Sequence, residues 1–146
     1  MVSNTTNIFL ADDDEDDQFM FKEALKEIRL PTRLVTAYDG EQLMSALKTL
    51  DGNLPDVLFL DLNMPRKNGF QCLLEIKEDK KLRELRTIIF STTSEPAVIQ
   101  QLFRNGADHY VRKPTEFNEL KKIIERVLKI VETPSIRSSI ERFVLK

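Results

Sequence analysis

Acidic residues cluster in this chain at places where they could do chemistry. Asp12 to Asp17 form an unbroken run of six acids, placed directly after the apolar stretch IFLA. A run of like charges is most often a solvated or disordered segment. Asp61, however, also closes an apolar run, DVLFLDL, while Thr92 follows IIFS and Lys113 follows HYVR. If Asp12, Asp13 and Asp61 converge, they cannot all stay ionised without a countercharge. A divalent cation would supply it, and so would the ammonium of Lys113. An all-oxygen set with room for water suits Mg2+ or Mn2+ better than zinc. With one Cys and one His in the chain there is no zinc cluster. The run also lacks the central Gly and terminal Glu spacing of an EF-hand loop.

Whether those residues meet depends on the elements that carry them. NIFLA (7–11), RLVTAY (33–38), DVLFLDL (56–62), TIIFSTT (87–93) and DHYVR (108–112) read as strands. Between and after them lie helical patterns at 19–28, 40–50, 70–79, 95–106 and 117–132. Gly106 is suited to close the fourth of these helices. Strands separated by 10-to-15-residue helices imply crossovers and a parallel sheet. Right-handed crossovers put helices on both faces. The expectation is an α/β fold: a (βα)5 three-layer sandwich with a parallel five-stranded sheet. In the order 2-1-3-4-5, the first and third strands are neighbours at the topological switch point. Asp12, Asp13, Asp61, Thr92 and Lys113 would then share the carboxyl edge, where open α/β sheets bind ligands.

Composition narrows the class. The 146 residues fit one domain, and 41% hydrophobic with 32% charged residues describes a globular chain. A net charge of −2 gives no basic field for nucleic acid or anionic lipid. Cys72 has no internal disulfide partner, in keeping with a reducing cytoplasm, and its apolar neighbours place it in the core. The apolar run at 8–11 is too short for a signal-peptide core or a membrane span.

Four segments, FLADDD (9–14), LDLNMPRKNG (60–69), FSTTS (90–94) and YVRKP (110–114), resemble the receiver domain of two-component response regulators. The likeness covers residues 8 to about 131, and the long acidic run with TTS looks most like the stand-alone receivers associated with phytochrome-type sensors. The resemblance implies a CheY-like, flavodoxin-like fold and a phosphorylation-activated switch of a phosphorelay. Asp61 matches the phosphoacceptor. Asp13 matches the direct Mg2+ ligand, with Asp12 holding the ion through water and the backbone carbonyl of Asn63 completing the protein's share. Lys113 matches the lysine that pairs with the phosphorylated aspartate, and the bond to Pro114 is often cis in the family. Thr92 matches the hydroxyl that bonds the phosphoryl group, and Tyr110 the aromatic that turns inward with it. Pro65 and Gly69 match structural positions of the loop after the phosphoacceptor. Asp16 or Asp17 is expected to cap the first helix.

The resemblance also implies partners: a sensor histidine kinase or phosphotransfer protein upstream, and a protein target reached through a changed surface of helix 4, strand 5 and helix 5. Direct nucleic-acid binding and membrane attachment are not expected. Residues 1–132 would form the receiver. In the tail, 133–146, Thr133 could cap a short amphipathic helix begun by Pro134, with Ile136, Ile140, Phe143 and Val144 as its stripe. That tail would pack on helix 5 within the chain or across a homodimer. His109 is expected at a strand edge.

Three rivals compete. A metal-dependent phosphohydrolase with an Asp nucleophile needs a second acid two residues on, where this chain has Asn63. A receiver-shaped module that is never phosphorylated is opposed by the full motif set. Flavodoxin-like cofactor binding lacks a Gly- or Thr-rich loop after the first strand, and the acids there would repel a phosphate.

Overall fold

In the computed structural model, residues 5–50, 52–133 and 139–146 are described. The elements run β1 (Thr6–Ala11), α1 (Glu15–Glu27), β2 (Thr32–Ala37), α2 (Gly40–Lys48), β3 (Val57–Leu60) and α3 (Gly69–Glu78). They continue with β4 (Thr87–Ser91), α4 (Pro96–Arg104), β5 (His109–Arg112), α5 (Phe117–Val131), α6 (Ile140–Phe143) and β6 (Val144–Leu145). All strand pairs are parallel, in the order β2-β1-β3-β4-β5-β6.

Every side chain of β3 and β4 is buried, which is why their sequences are almost wholly apolar rather than alternating. Successive residues still face opposite layers. Ile8, Leu10, Val57, Phe59, Ile88, Phe90 and Val111 pack with Phe21, Ala24 and Leu25 of α1 and Ile124, Val127 and Leu128 of α5. Phe9, Ala11, Leu58, Leu60, Ile89 and Tyr110 face Leu43 and Leu47 of α2, Cys72, Leu73 and Ile76 of α3, and Leu102 of α4. Phe21, Phe59 and Phe90 form an edge-to-face trio with centroids 4.9–6.1 Å apart, locking α1 onto the sheet beneath the carboxyl edge.

The sheet has one strand more than the sequence implied, and the extra strand comes from the tail. The Thr133 hydroxyl donates to the Ile130 carbonyl at the end of α5. Pro134 and Ile136 lie outside the described residues. From Ile140 the chain makes a single helical turn and then enters β6, with Tyr110 opposite Val144 and Val111 opposite Leu145. Among the described residues of the tail, Ile140–Phe143 is helical as expected, whereas Val144-Leu145 is a strand that completes the open hydrogen-bonding edge of β5. The tail therefore packs within the chain and straddles the sheet. Phe143 inserts beside Phe103 of α4 with centroids 5.3 Å apart, and Leu145 joins the α1/α5 layer.

His109 sits on β5 with Nδ1 3.2 Å from the Phe143 carbonyl, so the strand-edge residue is covered by the tail. Gly106 follows the end of α4 with φ 95°, a conformation that a side chain would strain. The cap of α1 is Asp14, not Asp16 or Asp17. Its carboxylate accepts from the Asp17 N–H at 3.0 Å, because the helix starts at Glu15, four residues before the apolar stripe becomes visible in the sequence.

Candidate functional site

The carboxyl ends of β1 and β3 lie side by side, that of β5 lies beyond β4 on the same edge, and three turns place charged residues there. β1 ends at Ala11, and the chain bends at Asp12, whose N–H donates to the Ala37 carbonyl at 3.0 Å. Asp12 Oδ1 in turn accepts the Asp14 N–H at 3.0 Å. At the end of β3, the Asp61 N–H donates to the Ala11 carbonyl at 3.0 Å, continuing the ladder by one step and aligning the two carboxylates. Lys113 follows β5, held by its N–H to the Ser91 carbonyl at 2.8 Å.

Asp12, Asp13 and Asp61 each offer a carboxylate oxygen, all within 4.8 Å of one another. Asp12 and Asp61 are buried and Asp13 is exposed, so the cluster opens to water on one side. Lys113 Nζ stands 2.8 Å from Asp12 Oδ2, 3.0 Å from Asp61 Oδ2 and 2.8 Å from Asp17 Oδ2. It also lies 5.8 Å from the centroid of the Phe90 ring. Burial pushes the Asp12 carboxyl up to about 6, against the opposing pull of the Lys113 bond. For Lys113, burial alone would lower the pKa. Its bonds to Asp12 and Asp17 outweigh that effect and hold the ammonium above its ordinary range. The donor set is all oxygen, compact and short of compensation at Asp12, which fits a hard divalent cation.

The loop after Asp61 is tightly closed. The Gly69 N–H donates to the Leu62 carbonyl at 2.9 Å, and the Lys67 N–H to the Pro65 carbonyl at 2.8 Å. A Cβ on Gly69 would stand 2.1 Å from the Asp61 carbonyl oxygen, so only glycine fits there. Arg66 takes φ 69° at the loop's apex and pairs with Asp39 at 3.3 Å. Asn63 is exposed, with its N–H 3.4 Å from Asp61 Oδ1.

Thr92 lies just beyond β4, exposed, in the wall of a cavity of about 330 Å³ shared with Asp17, Lys113 and Pro114. The Lys113–Pro114 peptide is trans, not the cis form the resemblance implied; trans is the lower-energy form of an X-Pro bond. Tyr110 is 1% exposed and already turned inward, its hydroxyl on the Thr93 carbonyl and its ring in the layer that also holds Leu102 and Phe143. Burial raises its pKa. Cys72 is fully buried, and that burial pushes its thiol up to about 11, so it is core.

Two residues of the site escaped sequence reasoning. Asp17 reaches Lys113 instead of capping the helix. Gln18, 2% exposed, donates from Nε2 to the Asp12 carbonyl at 2.7 Å and to the Ala37 carbonyl at 3.3 Å, tying together the ends of β1 and β2. Counting back from the buried Phe21 by four and by three residues gives Asp17 and Gln18. The helical period thus carried a signal that both face the sheet.

Comparison with known proteins agrees with this fold. The model of the response regulator receiver domain matches residues 8–125. The chain belongs to that family. The phosphorylated cyanobacterial phytochrome response regulator RcpA superposes with a TM-score of 0.81 at 27% identity, over 92% of this chain and 99% of that one. The Mn2+-bound response regulator Rcp1 gives 0.78 at 22% identity over the same shares, a likeness of fold. The nitrate/nitrite response regulator NarL of Escherichia coli (strain K12) is 30% identical over 135 residues, 86% of this chain. The chain spans 60% of NarL's length. The receiver's relatives are two-component response regulators, and among its solved neighbours are phytochrome-associated ones. Among the described residues no helix is long and apolar enough to cross a membrane.

Proposed function

We propose that this receiver is a phosphorylation-activated switch whose phosphoacceptor is Asp61. The observation that carries the reading is the convergence of Asp12, Asp13 and Asp61 within 4.8 Å, with Lys113 bridging the two buried carboxylates. An Asp61 carboxylate oxygen attacks the phosphorus of a phosphohistidine on a sensor kinase or phosphotransfer protein. The O–P bond forms as the P–N bond breaks, and the imidazole nitrogen keeps the electron pair and takes up a proton. Asp13, Asp12, Asp61 and the Asn63 carbonyl would hold Mg2+, with Mn2+ as a substitute. The ion, when bound, neutralises charge on the transferring phosphoryl group. Rcp1 is described in a Mn2+-bound form, which supports that choice.

Asn63 offers no second carboxylate as general acid for phosphohydrolase turnover, and the acyl phosphate on Asp61, formed and lost by the receiver's own chemistry, is the signal. Lys113 pairs with it and Thr92 donates to it. The readout is the surface of α4, β5 and α5, where the inward Tyr110 is backed by the tail. The target is a protein. Self-association through this surface would use the outer side of α6 and β6, since β6 occupies the β5 edge. Native mass measurement with and without phosphorylation tests that arm, and a monomer in both states removes it.

The principal test is intact-protein mass after incubation with acetyl phosphate, with and without Mg2+, beside Asp61→Asn. One added phosphoryl group requiring both Mg2+ and Asp61 supports the reading. An adduct on Asp61→Asn sinks it.

A further inference from the structure

An ammonium has three N–H donors. Lys113 donates to Asp17 and Asp61, and its ion pair with Asp12 Oδ2 at 2.8 Å lacks hydrogen-bond geometry. Three carboxylate oxygens within 3.0 Å still surround the ammonium. If Asp61 is the phosphoacceptor, as proposed above, a phosphoryl oxygen that comes to Lys113 displaces one of them. Asp12 and Asp61 are almost fully covered, with side-chain exposures of 1% and 8%, whereas that of Asp17 is 41%. Buried pairs are costly to break, while a partly exposed one is screened and worth about 0–1 kcal/mol. Asp17 is the partner that yields.

Its placement is not accidental. The Asp14 carboxylate holds the Asp17 N–H in the first turn of α1, which fixes the backbone and leaves the side chain to reach across to Lys113. Asp17 and Lys113 then form part of one wall of the cavity that also contains Thr92 and Pro114.

We infer that Asp17 is a positioning residue that parks the Lys113 ammonium in the unphosphorylated state and competes with the phosphoryl group for it. The contact has two consequences of opposite sign. Asp17 shares the Lys113 ammonium with Asp12 and Asp61 and so offsets part of the positive charge that opposes a cation there, which favours metal binding. When a phosphoryl group is present, the same contact works against it. Removing the Asp17 charge therefore weakens Mg2+ binding and strengthens phosphoryl binding. Damage to the local fold would weaken both.

Calorimetric titration of the full chain with Mg2+ alone, and then with beryllofluoride (a phosphoryl mimic on aspartate) in saturating Mg2+, separates these cases. Asp17→Asn should bind beryllofluoride about two- to fivefold more tightly, the factor that releasing a partly exposed ion pair supplies. The same variant should bind Mg2+ about twofold or more weakly on that scale. Asp16→Asn removes the same charge one residue away, from an exposed position, and should leave beryllofluoride affinity unchanged. An Asp17→Asn variant with unchanged or weakened beryllofluoride binding overturns the inference. So does an Asp16→Asn variant that reproduces the tightening. Wild-type protein that takes up no beryllofluoride in Mg2+ overturns the phosphoacceptor reading, and this inference with it.

Discussion

Two edges of this molecule meet on β5 and are built on opposite principles. At the carboxyl edge, charged groups are crowded and buried: Asp12 at 1% exposure is held near its protonation threshold, and Lys113 is shared among three acids. At the lateral edge, the tail contributes apolar surface, with Phe143 and Leu145 buried and β6 completing a ladder. The first arrangement is electrostatically strained and is kept for what it can bind. The second is packed like any core and serves stability. Lys113 lies just beyond one end of β5 and Tyr110 in its middle, so a four-residue strand joins the chemical edge to the packed one.

If the two edges are as different as this, they can be broken separately. Asp61→Asn should abolish phosphoryl uptake from acetyl phosphate while the thermal midpoint holds or rises, because it removes one charge from a repelling set. A midpoint lowered by several degrees would mean that Asp61 is structural. Phe143→Ala is the converse. A buried Phe truncated to Ala costs about 3–5 kcal/mol, which for a chain of this size lowers the midpoint by roughly 6–20 °C. Below that midpoint the variant should still take up one phosphoryl group, as read by mass.

Mg2+ should raise the midpoint of both wild type and Phe143→Ala by the same free energy, about 1.4 kcal/mol at ten times the dissociation constant. A gain seen in one and not the other would show that the edges are coupled. The smallest effect is in pH. The folded-state pKa of Asp12 is raised above its unfolded value, so the native state binds that proton more tightly. In Mg2+-free buffer its contribution should therefore be most favourable near pH 4, fall as pH rises to about 6, and level off above. Asp12→Asn should remove that slope, and a slope that survives the substitution assigns it to another group.

The sequence was most informative where a single period governs. The buried strands β3 and β4 are short apolar runs closed by polar residues, so both the parallel sheet and its carboxyl edge could be read directly. The acids of the site were visible because several fall together at the ends of apolar strands, where scattered surface charge would not collect. Three features were not legible. Asp14 rather than Asp16 or Asp17 caps α1, because in an unbroken acidic run each residue is an acceptable cap and only the backbone bend decides. Asp17 was consequently assigned to the helix end when it belongs to Lys113. The tail read as an amphipathic helix on the stripe Ile136, Ile140, Phe143 and Val144, and the strand Val144–Leu145 that ends it was missed. That strand is set by a vacant edge on β5, a long-range fact that no local window contains.

The close fit of Gly69 against the Asp61 carbonyl bears on how sequence variation in this protein should be interpreted. In a library of all single substitutions sorted only for cellular abundance, position 69 should be as intolerant as the leucines of the core, whereas position 61 should accept many replacements. Sorted instead for signalling output, the two positions should look alike. Intolerance at Asp61 and Gly69 would then have two separable origins, one chemical and one steric, and the two sortings together would tell them apart.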